Sequence, residues 1–250
     1  MAKKIILIVL FLAVAFFSVS EIRAGMKAAE NVTVAEQDAP VSAQPEEGPG
    51  QVSQQAAPQM SEDRQTALIM DRYDVWSNQF DSADWFYTIT DLDHNGRLEV
   101  IAASLQGSGL FTYAAMWEVN EDFSDIAECR DDLGEGGSYP DIITEAANCY
   151  HDEAADRYYY LFDDVARSGM AERWLGKTVL CLHDGVVELT VICSEYEVYE
   201  DAEAEPTVTY SDGNGNALTK EQFEQAVANW AVSKTMDDYA FAWTEVRSQG

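Results

Sequence analysis

The chain has 250 residues, of which 47% are hydrophobic and 11% aromatic, so it can build a sizeable core. Lys and Arg number 15 against 45 Asp and Glu, which gives a formal net charge of -30 at pH 7. A field of that sign repels phosphate backbones and anionic lipid surfaces. The composition therefore argues against nucleic acid and membrane surfaces as partners.

The first 24 residues have the pattern of a secretory signal peptide. Lys3 and Lys4 precede an apolar stretch at residues 5–17, and small residues follow as far as Ala24. The apolar stretch is shorter than the ~20 residues that a membrane-spanning helix needs. We therefore expect cleavage, with retention as an anchor as the alternative. The mature protein is then extracytoplasmic: secreted, on the cell surface or in the periplasm.

Residues 25–60 differ in composition from the rest of the chain. They are rich in Ala, Gln, Glu, Pro and Ser and lack aliphatic periodicity. Such a segment cannot bury enough apolar surface to offset the entropy of ordering, so we expect a disordered linker. Residues 61–250 are then left to form a single domain.

The predicted domain begins with a helix. Ile69, Tyr73, Trp76 and Phe80 recur at spacings of four, three and four, which places them on one helical face. β-branched and aromatic residues then predict three strands, at residues 85–90, 98–104 and 110–119.

The middle of the chain predicts a loop followed by an antiparallel meander. Residues 121–140 contain several Gly and a Pro, which favours a long loop. Residues 158–162 predict one strand, and residues 178–193 predict a hairpin that turns at an Asp-Gly pair. In that hairpin Cys181 faces Glu188.

The C-terminal part predicts helices. Thr219 and Gln222 have the spacing of a capping box at the start of one helix. A last helix is predicted to carry Tyr239, Trp243 and Val246. The fold class we expect is α+β: an antiparallel sheet flanked by an N-terminal helix and by C-terminal helices.

Four cysteines, Cys129, Cys149, Cys181 and Cys193, are compatible with disulfides in an exported protein. In an ideal hairpin turning at residues 184–185, Cys181 and Cys193 lie on opposite faces and cannot bond. Cys129–Cys149 is then the pair we expect, and four unpaired buried thiols are the alternative.

One loop, at residues 91–99, carries the pattern of a calcium site. Asp91, Asp93, Asn95 and Glu99 place oxygen side chains at positions 1, 3, 5 and 9, and the carbonyl of Arg97 adds an oxygen at position 7. Alternate residues of a tight loop can point at one ion. Three carboxylates would repel each other, so the charge of the ion lets the loop close.

The loop departs from an EF-hand, because position 12 is Ala102 instead of a bidentate Glu. Gly96 allows the sharp turn, but it also makes an ordinary hairpin turn with Asn95 the alternative interpretation. With few carboxylates, we expect a weak affinity, on the order of 10⁻⁴–10⁻³ M, as in extracellular modules.

Residues 86–103 resemble the strand–loop–strand calcium loops of FG-GAP or VCBS-type β repeats, in which the acid at position 9, here Glu99, is a direct ligand. The chain also resembles poorly characterised exported proteins of anaerobic bacteria, in which a Trp-bearing helix precedes a single Asp-x-Asp-x-Asp-Gly-x-x-Glu loop. The resemblance covers mainly residues 65–104, and more weakly residues 208–230. It implies a metal site and export, and it carries no assigned activity.

A second acidic segment, at residues 212–216, is interpreted as a turn. If it were a calcium loop, position 6 would be Ala217 and position 12 Phe223, and neither suits that role. A turn that leads into a capped helix explains the segment better.

The sequence contains none of the Gly-x-Ser-x-Gly, Ser-x-x-Lys or His-Glu-x-x-His nucleophile and metal signatures. We therefore expect a monomeric, non-catalytic, calcium-stabilised module that binds a glycan, a peptide or another protein. The aromatic surface for that ligand would come from the tyrosines at positions 158, 159, 160, 196 and 199. A secreted glycoside or peptide hydrolase that uses an Asp/Glu pair is the alternative.

Overall fold

Antiparallel β-strands make up most of the computed structural model, which describes residues 60–80, 84–106, 111–131, 133, 138–201 and 204–247. These residues belong to one compact unit within Gln55–Gly250. The predicted signal peptide at residues 1–24, and all but the last residue of the predicted linker at 25–60, lie outside the described residues. In the described part, no helix combines the length and apolar character needed to cross a membrane.

Short helices open the described part of the chain: α1 at Glu62–Asp71, α2 at Tyr73–Ser77 and a 3-10 turn at Asn78–Phe80. The predicted face is buried at Ile69 and Trp76, both 0% exposed, and at Phe80, while Tyr73 lies at its margin and is 38% exposed. The Trp76 indole nitrogen donates to the Ile69 carbonyl at 2.9 Å. This bond joins α2 to α1 across the bend between them.

Thirteen strands are present in the described ranges. Their bounds are β1 Trp85–Thr90, β2 Glu99–Gln106, β3 Phe111–Val119, β4 Ile126–Glu128, β5 Arg130–Asp131, β6 Ala146–Asp152, β7 Arg157–Ser168, β8 Glu172–His183, β9 Val186–Val198, β10 Thr207–Asp212, β11 Ala217–Leu218, β12 Thr235–Ala240 and β13 Thr244–Val246.

The strands form two sheets, where the sequence predicted one. The first has the order β13-β1-β2-β3-β4, and the second has the order β11-β10-β9-β8-β7-β6-β12, with β5 added parallel to β9. The consecutive pairing from β6 to β11 confirms the predicted meander. The long loop predicted at residues 121–140 is wrong in part, because it contains β4 and β5.

Two hydrophobic cores cover the two faces of the first sheet. The inner core lies between the sheets and joins Ile101 and Met116 of the first to Tyr160, Phe162 and Leu180 of the second. The outer core packs the N-terminal helices against the other face of the first sheet, with Ile69, Trp76, Phe80, Trp85, Val100 and Trp117 among its members. The β1–β2 connection is therefore held between the helices and the second sheet.

Helix α3, at Lys220–Trp230, begins as predicted. The Thr219 hydroxyl accepts from the Gln222 amide at 3.2 Å, and the Gln222 side chain accepts from the Thr219 amide at 2.8 Å, so the capping box is complete.

The last predicted helix is wrong, because residues 235–246 form β12 and β13. Tyr239, Phe241 and Trp243 all pack against the inner core, which is the alternation of a strand. β12 pairs with β6 and β13 pairs with β1, so this segment borders both sheets.

The β8–β9 hairpin has the predicted register near its turn, with Cys181 opposite Glu188. A register shift at Lys177/Thr178 then brings Cys193 opposite Lys177, which moves Cys193 to the face that also carries Cys181. The prediction of opposite faces is therefore wrong.

All four cysteines are buried and unpaired, so the predicted Cys129–Cys149 disulfide is also wrong and the alternative of free thiols holds.

Candidate metal centre

The loop between β1 and β2 turns sharply at two residues with left-handed backbone. His94 has φ 58° and Gly96 has φ 85°. A left-handed conformation is costly for most residues and free for glycine, so the Gly at position 96 permits this turn. The Gly96 amide donates to an Asp91 carboxylate oxygen at 2.9 Å, which closes the loop on itself.

Gln65 of α1 fixes the far end of the loop and was not predicted from the sequence. It is 1% exposed. Its amide nitrogen donates to the Gly96 carbonyl at 2.9 Å, and its oxygen accepts from the Leu98 amide at 2.8 Å. Because both groups of the carboxamide are used, α1 holds the loop in one conformation.

Three of the predicted ligands are brought together. Each of Asp91, Asp93 and Glu99 offers a carboxylate oxygen, and these oxygens all lie within 4.8 Å of one another. The two aspartates are partly exposed, while Glu99 at the start of β2 is 0% exposed. The group is the one cluster of three or more acidic, His or Cys ligands within metal-binding distance in the described ranges.

Two oxygens of this cluster have no hydrogen-bond partner. One oxygen of Glu99 accepts from the Leu92 amide, but its other oxygen, Oε1, is buried and unpaired. The same holds for Asp91 Oδ1. A buried acceptor without a partner costs about 1–3 kcal/mol, and more when it is charged. Both oxygens are therefore acceptors that a hydrogen-bond donor or a cation would stabilise.

The pKa values of two of the three carboxylates are raised, which also shows that the cluster disfavours its fully ionised form. Burial raises the pKa of Glu99 well above its usual range, and the nearby charge of Asp93 adds to this shift. Burial also raises the pKa of Asp93 to about 6. At 4.8 Å and an effective dielectric constant of ~20, each fully ionised carboxylate pair costs about 3.5 kcal/mol. Three fully ionised pairs would approach the whole stability of a domain, about 5–15 kcal/mol, so the cluster favours binding of protons or a cation.

The two other predicted ligands lie differently. The Asn95 oxygen accepts from the Arg97 amide at 2.7 Å, and its amide nitrogen donates to Asp93 Oδ2 at 2.9 Å. The oxygen of Asn95 is thus turned to the backbone, and the nitrogen is a hydrogen-bond donor to Asp93. The prediction for Arg97 concerns its carbonyl oxygen, whereas the structure gives its side chain a separate role.

That role is an ion pair with Glu118, a residue the sequence analysis missed. Glu118 lies directly opposite Glu99 in the β2–β3 pairing and is 7% exposed. One of its oxygens is 2.5 Å from an Arg97 guanidinium nitrogen and accepts from the Asn95 side-chain nitrogen, Nδ2, at 2.7 Å. Glu118 thereby anchors the loop to β3 and adds a fourth carboxylate beside the cluster.

A cleft of about 610 Å³ lies beside the loop and reaches one residue of the cluster, Asp91. Its lining includes Asp91 and His94 of the loop, Glu62 and Asp63 of α1 and Tyr239 of β12.

The second acidic segment differs in one decisive respect. Asp212 Oδ1 accepts from the amides of Asn214 and Asn216 at 2.9 and 2.8 Å, and Oδ2 accepts from the Asn216 side chain at 2.8 Å. These bonds lower the pKa of Asp212. Its carboxylate is therefore satisfied by the turn alone, as the turn interpretation requires.

Comparisons with known protein families, with curated proteins and with solved structures find no match.

Proposed function

We propose that this protein is an exported, non-catalytic module whose fold is stabilised by one Ca²⁺ bound by Asp91, Asp93 and Glu99. The observation that carries the proposal is the pair of buried, unpaired oxygens on Asp91 and Glu99 within a group of three converging carboxylates. A bound cation supplies the partner that both oxygens lack. Its positive charge also favours the ionised forms of Asp93 and Glu99, whose pKa values are raised mainly by burial and in part by the neighbouring carboxylates.

The donor set favours calcium. All three side chains offer oxygen, and calcium takes 6–8 oxygen ligands in flexible geometry, with waters completing the shell. Zinc prefers nitrogen and sulfur donors, which the cluster lacks. Three carboxylates without a position-12 Glu suit a weak site, on the order of 10⁻⁴–10⁻³ M, which fills outside cells. The signal-like N-terminus supports that location.

The test compares thermal unfolding of the metal-depleted protein with and without millimolar CaCl₂ in three proteins. The wild-type melting temperature should rise with calcium, and Asp91→Asn should lose most of that rise. Asp212→Asn is the matched control, because it neutralises an Asp in a similar acidic turn that needs no ion. Its calcium response should equal the wild-type response. Equal responses in wild type and Asp91→Asn would contradict the proposal.

The five tyrosines considered as a binding surface differ in how accessible they are. Of the tyrosines considered as a binding surface, Tyr160 is fully buried, Tyr158 packs on the inner core and Tyr159 packs on Trp230. Tyr196, at 37% exposed, is the most accessible of them. Tyr158, Tyr159 and Tyr160 therefore serve in packing, and Tyr196 is the ring that is most accessible to a glycan, peptide or protein ligand.

The hydrolase alternative requires two facing carboxyl groups that reach a substrate. In the metal cluster, Glu99 is fully buried and cannot do so, which favours a binding role for this group. Assay of the purified protein against glycoside and peptide substrates separates the two functions, since turnover would support the hydrolase.

A further inference from the structure

The metal loop has a second side, which faces the second sheet. Its odd-numbered acids converge on the cluster, whereas Thr90, Leu92 and His94 alternate with them and point away. The Leu92 side chain is 1% exposed and belongs to the inner core. The period of two in the loop therefore separates an ion-binding side from a docking side.

Each residue of the docking side contacts a tyrosine of the second sheet. The Thr90 hydroxyl hydrogen-bonds to the Tyr239 hydroxyl on β12. The His94 ring stacks on the ring of Tyr158 on β7, with centroids 3.9 Å apart. The neighbour of Tyr158 on the same face of β7 is Tyr160, and it makes the third contact.

Tyr160 is connected through Leu92 to Glu99, one of the proposed calcium-binding residues. Its hydroxyl is buried and donates to the Leu92 carbonyl at 2.7 Å. The amide of the same residue, Leu92, donates to the carboxylate of Glu99. One residue thus joins the fully buried ligand Glu99 to a fully buried tyrosine of the other sheet. A displacement of Glu99 on ion binding would therefore be passed through Leu92 to the contact with β7.

We infer that calcium binding is coupled to the packing of the second sheet, with Tyr160 as the positioning residue that transmits it. This rests on the proposed calcium site and assigns its regulation: the ion orders β7 and β12 as well as its own loop. Coupling of this kind is reciprocal, so contacts made by β7 also raise the affinity of the loop for calcium.

The test measures calcium affinity by equilibrium dialysis for wild type, Tyr160→Phe and Tyr159→Phe. Tyr160→Phe removes the hydroxyl that contacts the Leu92 carbonyl and, at 3.3 Å, His94 Nε2. The affinity for calcium should fall about 5- to 10-fold, the low end of coupling between sites. Tyr159→Phe removes the same group from the opposite face of β7, and its affinity should stay within about 2-fold of wild type.

The calcium-dependent change in hydrogen exchange, compared between the loop and β7, gives a readout that uniform destabilisation does not produce. In wild type, calcium should slow exchange in residues 91–99 and also in β7 and β12. In Tyr160→Phe, saturating calcium should still protect the loop but protect β7 less. His94→Asn is a second variant that loses the stack on Tyr158, and Asn tolerates the left-handed backbone there.

The outcomes separate this inference from the calcium site itself. Calcium binding with protection confined to the loop, and unchanged affinity in Tyr160→Phe and His94→Asn, would overturn the coupling and leave the proposed function intact. Absence of calcium binding to wild type at millimolar concentration would overturn both.

Discussion

Replacement of Glu99 by Gln should change stability in opposite directions with and without calcium. Gln has the same shape and can still accept from the Leu92 amide, but it carries no charge. In the metal-free protein, burial raises the pKa of Glu99, so the fold disfavours its ionised form relative to the unfolded chain. This cost appears as pH rises above the ordinary carboxyl pKa, and Gln removes it. Metal-free Glu99→Gln should therefore be more stable than metal-free wild type at pH 7.5.

The size of each effect follows from the geometry. Neutralising Glu99 removes two of the three carboxylate pairs within 4.8 Å, and protonation already relieves part of that repulsion. The metal-free gain is on the order of 1–3 kcal/mol. With 10 mM calcium and a Kd of ~0.1–1 mM, wild type gains about 1.4–2.7 kcal/mol. For a domain of this size that is a rise of about 3–10 °C in Tm, most of which Glu99→Gln should lose.

Thermal unfolding followed by circular dichroism, in four conditions, measures both effects. The prediction is a crossing: the variant melts above wild type without calcium and shows little response when calcium is added. A variant that melts below wild type in both conditions by the same amount would show that Glu99 acts only through packing. That result would refute the electrostatic reasoning.

Three further predictions concern pH and packing. Asp93 has a pKa of about 6 in the fold, above its ordinary 3.8, so metal-free stability should fall as pH rises across that window. Urea unfolding at pH 5 and pH 7 measures this, and calcium should abolish the fall; greater metal-free stability at pH 7 would contradict it. Lys234→Met removes an ammonium that lies 4.5 Å from the centroid of the Trp230 ring and 3.5 Å from an Asp152 oxygen. The free energy of unfolding, measured in urea, should fall by about 1–2 kcal/mol, and an unchanged midpoint would contradict this. Thr219→Ala should lower the free energy of unfolding by about 0.5–2 kcal/mol and speed hydrogen exchange in α3, because it removes the cap of that helix. Unchanged exchange in α3 would contradict this.

The convergence of the three carboxylates could be predicted because their residues are close in sequence. Asp91, Asp93 and Glu99 occupy fixed positions in one tight loop, so their convergence depends on local turn geometry alone. Glu118 could not be found in this way, because it meets Glu99 only through the register of two paired strands. Gln65 reaches the loop from α1, and no local pattern identifies that contact.

The errors in the fold also have physical causes. Tyr239, Trp243 and Val246 fit a helical spacing, while Tyr239, Phe241 and Trp243 fit a strand spacing equally well. Pairing with β6 and β1 decided between them, and such pairing is non-local. The reversed face of Cys193 comes from a register shift within the β8–β9 hairpin, which ideal alternation does not anticipate.

A crystal structure of the protein grown with 10 mM CaCl₂ tests the central claim most directly. One anomalous-scattering peak should lie 2.3–2.6 Å from oxygens of Asp91, Asp93 and Glu99. Those oxygens should include the two that otherwise have no partner, Asp91 Oδ1 and Glu99 Oε1. The same three carboxylates held together by protons or water alone, with no peak between them, would contradict it.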